Sequence, residues 1–335
     1  MFENLSLRNF TAFKALDLDF GKGVNVYAGA NGTGKTHIMK LLYALQKQQY
    51  HSRDPQRVES LDRTLVSVFC PDSLGRLVTR RVGSGACTVS AKWSDKRLAL
   101  SFGSRARTVA VSPTWQSIPL PLFLPATDIL GHSVRFIEAY EHGWADFDVT
   151  YRDLLLACTP GVSRGPIPEP QNRLLRSLRR HMTGTVSRSE AGRFYLKDGD
   201  GQLEFPLIAE GWRKLGMLWT LIRSGALTQS SVLFWDEPEA NLNPGLVALV
   251  AEVICRMAAG GAQVHVATHS YAMIRELEFQ ATDHGADLSL FALERTASDG
   301  VVARPARRFA ELTPNPILDA HERIYERTIR DALSG

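Results

Sequence analysis

Apolar and polar positions along the chain repeat with two different periods, and each change of period marks an element. Val24, Val26 and Ala28 alternate with Asn25 and Tyr27, the period of two that predicts a short strand. Ile38, Met39, Leu41, Leu42 and Leu45 then recur at helical spacing through Gln46. Val232-Leu233-Phe234-Trp235 is a continuous apolar run, as expected of a strand buried on both faces of a parallel sheet. Val264, Val266 and Ala267 predict another such strand. From about Leu65 to Val111, short β-type runs alternate with turn signals at Pro71-Asp72-Ser73 and Gly83-Ser84-Gly85. Within that region Thr64–Phe69 and Cys87–Ala91 read as antiparallel strands of a side sheet. Pro119–Pro125 reads as a proline-punctuated connector.

Helical patterns follow at Val134–Tyr140, Asp148–Leu156 and Arg173–Met182, with a loop at Ser163–Pro170 and a hairpin at Phe194–Phe205. Asn243-Pro244 supplies an N-cap and first-turn proline for a helix closing at Gly260-Gly261. Ser270 caps a helix from Tyr271 to about Thr282. A strand at Leu288–Leu293 and a terminal helix at Pro316–Leu333 complete the pattern. The chain shows no internal repeat, low-complexity tract or sustained heptad.

At 335 residues a large core is feasible. No apolar run approaches the ~20 residues that cross a bilayer, and the N-terminus lacks a basic-then-apolar leader, so a cytoplasmic protein is expected. Cys70, Cys87, Cys158 and Cys255 are scattered without a C-x-x-C pair, which argues against disulfides or zinc and for buried, reduced thiols. A net charge of +4 says little about nucleic acid. Arg173, Arg176 and Arg180 fall on one side of their helix, with Arg179 nearby, and are the candidate DNA contacts.

Two motifs about two hundred residues apart carry the candidate chemistry. Gly29-Ala30-Asn31-Gly32-Thr33-Gly34-Lys35-Thr36 satisfies G-x-x-x-x-G-K-[ST], between a predicted strand and a predicted helix. Its glycines free the loop of Cβ atoms, so successive backbone amides can turn inward onto phosphate oxygens. Lys35 is expected to reach the β- and γ-phosphates of ATP, and the Thr36 hydroxyl to ligate Mg²⁺. The second motif is the apolar strand ending in Asp236-Glu237. A carboxylate at the C-terminal end of such a strand emerges where ligands bind in open α/β sheets. Asp236 is assigned to magnesium, and Glu237 to orienting and deprotonating an attacking water. Thr268-His269-Ser270 ends the next apolar strand, and His269 is expected to sense a γ-phosphate. His265, mid-strand, is expected to pack in the core.

These residues resemble the ABC-type ATPases that include RecF, the SMC proteins and the ATPase parts of the overcoming-lysogenization-defect (OLD) family, often grouped as AAA-family ATPases. Leu5–Phe13 resembles their first strand, Gly29–Thr36 their Walker A motif and Asp236-Glu237-Pro238 their Walker B motif. Glu239–Pro244 resembles the D-loop, and Thr268-His269 the histidine switch. The likeness runs from the N-terminus to about residue 270, loosely in the middle. It implies an α/β P-loop NTPase fold of ABC-ATPase type, with a mostly parallel core sheet, an antiparallel side sheet and a short helical insertion. A single head would span 1–335. Its nucleotide-binding core would be 1–50 and 207–300, the side sheet 60–112, the helical and hairpin insertion 126–206, and a C-terminal strand and helix 301–335.

The resemblance further implies a homodimer sandwiching two ATP molecules, each between one P-loop and the other protomer's signature segment. Ala209–Leu215 occupies the signature position, so Gly211 and the D-loop Asn241 join the expected nucleotide contacts. Ala209 departs from the pattern, because related chains commonly carry a serine there whose hydroxyl meets the opposing γ-phosphate. Amides at Gly211 and the helix N-terminus remain to attract phosphate. No long coiled-coil arm is present, and residues 270–335 are too few for an OLD-type nuclease domain. The expected function is a Mg²⁺-dependent ATPase that switches a separate effector, nuclease or toxin-like, in a bacterial anti-phage system, without membrane association. A RecF-like DNA-binding repair ATPase and a nucleotide-gated scaffold with little turnover are the alternatives.

Overall fold

The computed structural model describes residues 1–51, 59–80, 85–109, 119–159, 166–182 and 184–334. The first half of the chain forms β1 (Phe2–Phe10), β2 (Phe13–Asp19), β3 (Val24–Gly29), α1 (Lys35–His51), α2 (Leu61–Phe69), β4 (Cys87–Trp93), β5 (Lys96–Phe102) and β6 (Pro121–Leu124). Then come α3 (Phe136–Glu141), α4 (Val149–Ala157), α5 (Glu169–Arg179), β7 (Thr185–Arg188), β8 (Phe194–Lys197) and β9 (Gln202–Glu204). The last part holds α6 (Glu210–Arg223), β10 (Val232–Asp236), α7 (Pro244–Ala259), β11 (Gln263–Thr268), α8 (Tyr271–His284), β12 (Leu288–Thr296), β13 (Gly300–Ala306) and α9 (Pro316–Ser334).

One mixed sheet of ten strands runs in the order β5-β4-β1-β2-β13-β12-β3-β11-β10-β6. The five strands from β12 to β6 are mutually parallel, and the rest pair antiparallel. The antiparallel side strands therefore continue the core sheet through β1 rather than forming a sheet apart. The expected hairpin is β8 and β9, which with β7 form a separate three-stranded sheet, β7-β8-β9, while Phe205 begins a 3-10 turn after it.

Each parallel strand feeds two cores. Val26, Leu233, Trp235, Val264 and Val266 face the helices α5, α6 and α7 on one side. Tyr27, Phe123, Phe234, Ala267 and Phe291 face α1 on the other. Alternate side chains leave opposite faces of a strand, so apolar residues at both parities bury both faces. His265 lies wholly inside, its Nδ1 2.8 Å from the Tyr27 hydroxyl.

Three sequence expectations need correction. Thr64–Phe69 is not a strand but the body of α2. Leu61, Thr64, Leu65 and Val68 are its buried residues, the i, i+3, i+4, i+7 spacing of one helical face, and this tertiary burial overrides the β propensity of the run. Pro119–Pro125 is not merely a connector, because β6 lies within it and pairs parallel with β10, Pro121 opposite Val232. Proline is tolerated there because β6 is an edge strand and Pro121 its first residue. Cys70 is exposed, whereas Cys87, Cys158 and Cys255 are the buried thiols expected. Gly83-Ser84-Gly85 and the Ser163–Pro170 loop fall partly outside the described residues.

Candidate functional site

Sheet register delivers the site. Thr268 at the end of β11 pairs with Ala28, Asp236 at the end of β10 pairs with Ala267, and Leu293 of β12 pairs with Gly29. The C-terminal ends of three parallel strands and the glycine loop therefore lie level. Gly29, Gly32 and Gly34 all have positive φ. A Cβ on Gly29 would stand 2.4 Å from the Leu293 carbonyl oxygen, and one on Gly34 2.7 Å from the Phe13 ring. The tight loop is thus closed to side chains at both ends. Ala30, Asn31 and Gly32 are exposed at its tip, while the Thr33 hydroxyl is tucked back onto the Ala30 carbonyl at 2.9 Å.

Lys35 opens α1, and its ammonium donates to the carbonyls of Gly29 at 2.8 Å and Ala30 at 3.0 Å. Burial lowers its pKa, against the opposing pull of Glu237, Asp236 and Glu239. The Thr36 hydroxyl donates to Asp236 Oδ2 at 2.9 Å, joining residues 200 positions apart. Desolvation pushes the Asp236 carboxyl above its ordinary value, and the Thr36 hydrogen bond partly offsets this. A hydroxyl and a desolvated carboxylate in contact form a hard-oxygen pair suited to Mg²⁺, which holds few protein ligands beside phosphate oxygens and water. The pair fits the ion.

Glu237 follows with φ +45°. That left-handed conformation is uncommon for a side-chain-bearing residue. Its amide still donates to the Ala267 carbonyl at 2.9 Å, extending the β10–β11 ladder by one bond. The carboxylate meets His269 Nδ1 at 2.9 Å, and the two side chains are 30% and 47% exposed. A base facing open space and oriented by an imidazole can act on water arriving from solvent.

Gly211 lies in the first turn of α6, where a Cβ would come within 3.4 Å of the Asn241 carbonyl oxygen and the Leu242 side chain. Ala209 is the N-cap of α6 and gives no side-chain hydrogen bond. Asn241 is exposed with φ +59°. The signature-like and D-loop-like segments therefore touch each other beside the carboxylates.

Sequence reasoning overlooked three groups here. Arg295 Nη2 donates to the Gly32 carbonyl at 2.8 Å, and the Thr268 hydroxyl donates to Glu239 Oε1 at 2.5 Å. Lys214, 1% exposed, reaches the turn behind Glu237. Only Lys214 left a signal, a charge among Gly211, Leu215 and Leu218 on the apolar side of a helix. The candidate DNA arginines stand elsewhere, on α5. Arg176 bonds Glu169 at 2.5 Å and Arg180 bonds Glu252 at 2.7 Å, while the Arg179 guanidinium stacks over Trp219. Among the described residues no helix is long and apolar enough to cross a membrane, and no cluster of three His, Cys, Asp or Glu suits a metal ion.

A parallel-sheet core, a glycine loop opening α1, and a Thr–Asp contact backed by a Glu–His pair define an ABC-type P-loop ATPase of the RecF and SMC group. The chain belongs to the family described as "AAA domain, putative AbiEii toxin, Type IV TA system", whose model matches residues 93–275. A second AAA domain model matches residues 4–64. The DNA replication and repair protein RecF of Streptococcus uberis is 30% identical over 94 residues, 28% of this chain and 24% of that protein. RecF of Streptococcus suis is 41% identical over 49 residues, 15% of this chain and 14% of that protein. This chain thus spans a quarter or less of the length of either relative. The solved SMC head bound to the C-winged helix domain of ScpA superposes with a TM-score of 0.56 at 13% identity, covering 91% of this chain and 97% of that one. An SMC head with an extended coiled coil, bound to the C-terminal domain of ScpA derived from Pyrococcus furiosus, gives 0.52 at 12%, covering 98% and 99%. At such identities the likeness is one of fold.

Proposed function

We propose that this chain is a single ABC-type head that binds and hydrolyses ATP with Mg²⁺, closes as a homodimer around two nucleotides, and thereby switches a separate effector protein in the bacterial cytoplasm. The observation that carries the reading is the 2.9 Å contact of Thr36 with Asp236, with Glu237 and His269 paired beside it. Lys35, parked on the Gly29 and Ala30 carbonyls, exchanges these for phosphate oxygens when the triphosphate enters. Thr36 and Asp236 would hold the cation, which would supply positive charge to offset that of the phosphate oxygens. Glu237 takes a proton from the attacking water, and His269 orients the Glu237 carboxylate and meets the γ-phosphate. Ala209, Gly211 and Asn241 present backbone and amide groups to the opposite protomer's nucleotide.

A protein partner is favoured over DNA because carboxylates already engage two of the three candidate arginines. The solved SMC heads, each bound to a ScpA domain, support the same choice. The family description names a putative toxin and a Type IV TA system, which supports placing the chain in a toxin–antitoxin system. The test is Glu237→Gln in the full chain. ATP is expected to bind normally and to shift the variant from monomer to dimer in light scattering, with turnover lost. A variant that hydrolyses ATP at the wild-type rate refutes the assignment of Glu237.

A further inference from the structure

Lys214 is buried to 1% exposure in the second turn of α6, a position where a charge is costly unless its partners are fixed. Burial lowers its pKa, opposed by Glu210, Glu239, Asp128 and Glu237 around it. Its ammonium donates to the Ala240 carbonyl at 2.5 Å and to the Glu237 carbonyl at 3.4 Å. Both carbonyls belong to the turn at 237–242, which is closed by two backbone–backbone hydrogen bonds, Ala240 N–H to Glu237 and Leu242 N–H to Glu239, each 3.0 Å. Glu237 and Asn241 are both left-handed, so the turn does not hold its shape by local preference alone. Gly211, one helical turn before Lys214, packs directly on the Asn241 backbone.

We propose that Lys214 is a positioning residue: it clamps the strained turn that carries Glu237 onto the first turns of α6, so that the general base and the signature-like segment move as one piece. A side chain of similar length without a donor, such as Met, fills the space but leaves the Ala240 carbonyl without its lysine donor and the Glu237 carbonyl with the Ala240 amide alone, and the turn is then free to relax. The inference rests on the ATPase reading above for its kinetic consequence, but not for its structural one.

The test compares full-length wild type with Lys214→Met, Lys214→Gln and Lys214→Arg. Readouts are kcat and KM for Mg²⁺-ATP, the Kd of a fluorescent ATP analogue, and hydrogen exchange of the 237–242 amides without nucleotide. Displacing a base by about 1 Å costs on the order of 10²-fold, so Lys214→Met is expected to lose about 10–100-fold in kcat. KM and Kd are expected to stay close to wild type, exchange at Ala240 and Leu242 to quicken, and Lys214→Arg to recover most of the lost kcat. Wild-type kcat and exchange in Lys214→Met overturn the proposal, as does a Kd that rises in step with the fall in kcat. If Lys214→Met does not fold, Lys214→Leu, likewise without a donor, carries the same comparison, and Lys214→Gln reads how much a neutral donor restores. If wild type itself turns over no ATP, the ATPase reading fails and exchange alone decides, with unchanged protection of the turn counting against Lys214.

Discussion

Replacing Asp236 by Asn should separate what the carboxylate does for nucleotide from what it does to the fold. The Asp236 carboxylate accepts from Thr36 Oγ1 at 2.9 Å, and desolvation is the largest influence on it. Asn keeps an acceptor for that hydroxyl, so the exchange forfeits only the charge-assisted part of the bond, about 1 kcal/mol. The relief from withdrawing a charge from water is several kcal/mol for a fully buried ion and, for this partly exposed one, we take about 2–3 kcal/mol. The balance favours the variant by about 1–2 kcal/mol. For 335 residues the unfolding entropy is about 0.7 kcal/mol/K, so Asp236→Asn should melt about 2 °C higher in EDTA. The sign of its pH dependence follows from the raised carboxyl pKa. The folded chain holds a proton that the unfolded chain, with an ordinary value of 3.8, releases, so this carboxylate's contribution to stability falls as pH rises through that window. The gap between variant and wild type should be widest near pH 7 and should close toward pH 4. Mg²⁺-ATP at a thousandfold excess over Kd adds about 4 kcal/mol, or about 6 °C, to wild type. The variant should gain less than half as much. Thermal shift across pH, with and without Mg²⁺-ATP, reads all of this. A variant that melts lower in EDTA, or responds to Mg²⁺-ATP as wild type does, refutes the reasoning.

Removal of a general base typically lowers turnover by about 10²–10⁴-fold, so Glu237→Gln should fall in that range while the Kd for ATP stays close to wild type. Steady-state turnover beside equilibrium nucleotide binding reads the split. Leu65→Ala should destabilise by about 2–5 kcal/mol and its neighbour Val66→Ala by less than about 0.5 kcal/mol, since Leu65 is buried in α2 and Val66 is 37% exposed. Denaturant unfolding measures both, and a large loss at Val66 contradicts the helical packing of this segment.

The parallel core was readable because its strands are apolar at both parities, which only burial on two faces explains. Gly29–Thr36 and Asp236-Glu237 were readable because their chemistry is compressed into contiguous residues with few alternatives. Thr64–Phe69 misled because β-branched residues fill positions that the tertiary contacts of α2 bury at helical spacing. Pro121–Leu124 misled because its four residues are bracketed by the prolines that usually end strands, and only its edge position makes proline harmless. Lys214 and Arg295 could not be assigned from sequence, because each acts through a backbone carbonyl, Ala240 or Gly32, that carries no residue-type signature. The pairing of His269 with Glu237 is similarly a product of strand register, Asp236 opposite Ala267, rather than of any local motif.

The central claim is that Thr36 and Asp236, 200 positions apart, jointly hold one cation on the nucleotide. A double-mutant cycle with Thr36→Val and Asp236→Asn, reading Mn²⁺-ATP affinity by electron paramagnetic resonance, tests it most directly. Each single change should weaken binding, and the double variant should be little worse than the weaker single, a coupling of about 0.5–3 kcal/mol. Losses that add independently, or Mn²⁺-ATP bound by the double variant as tightly as by wild type, would contradict the account.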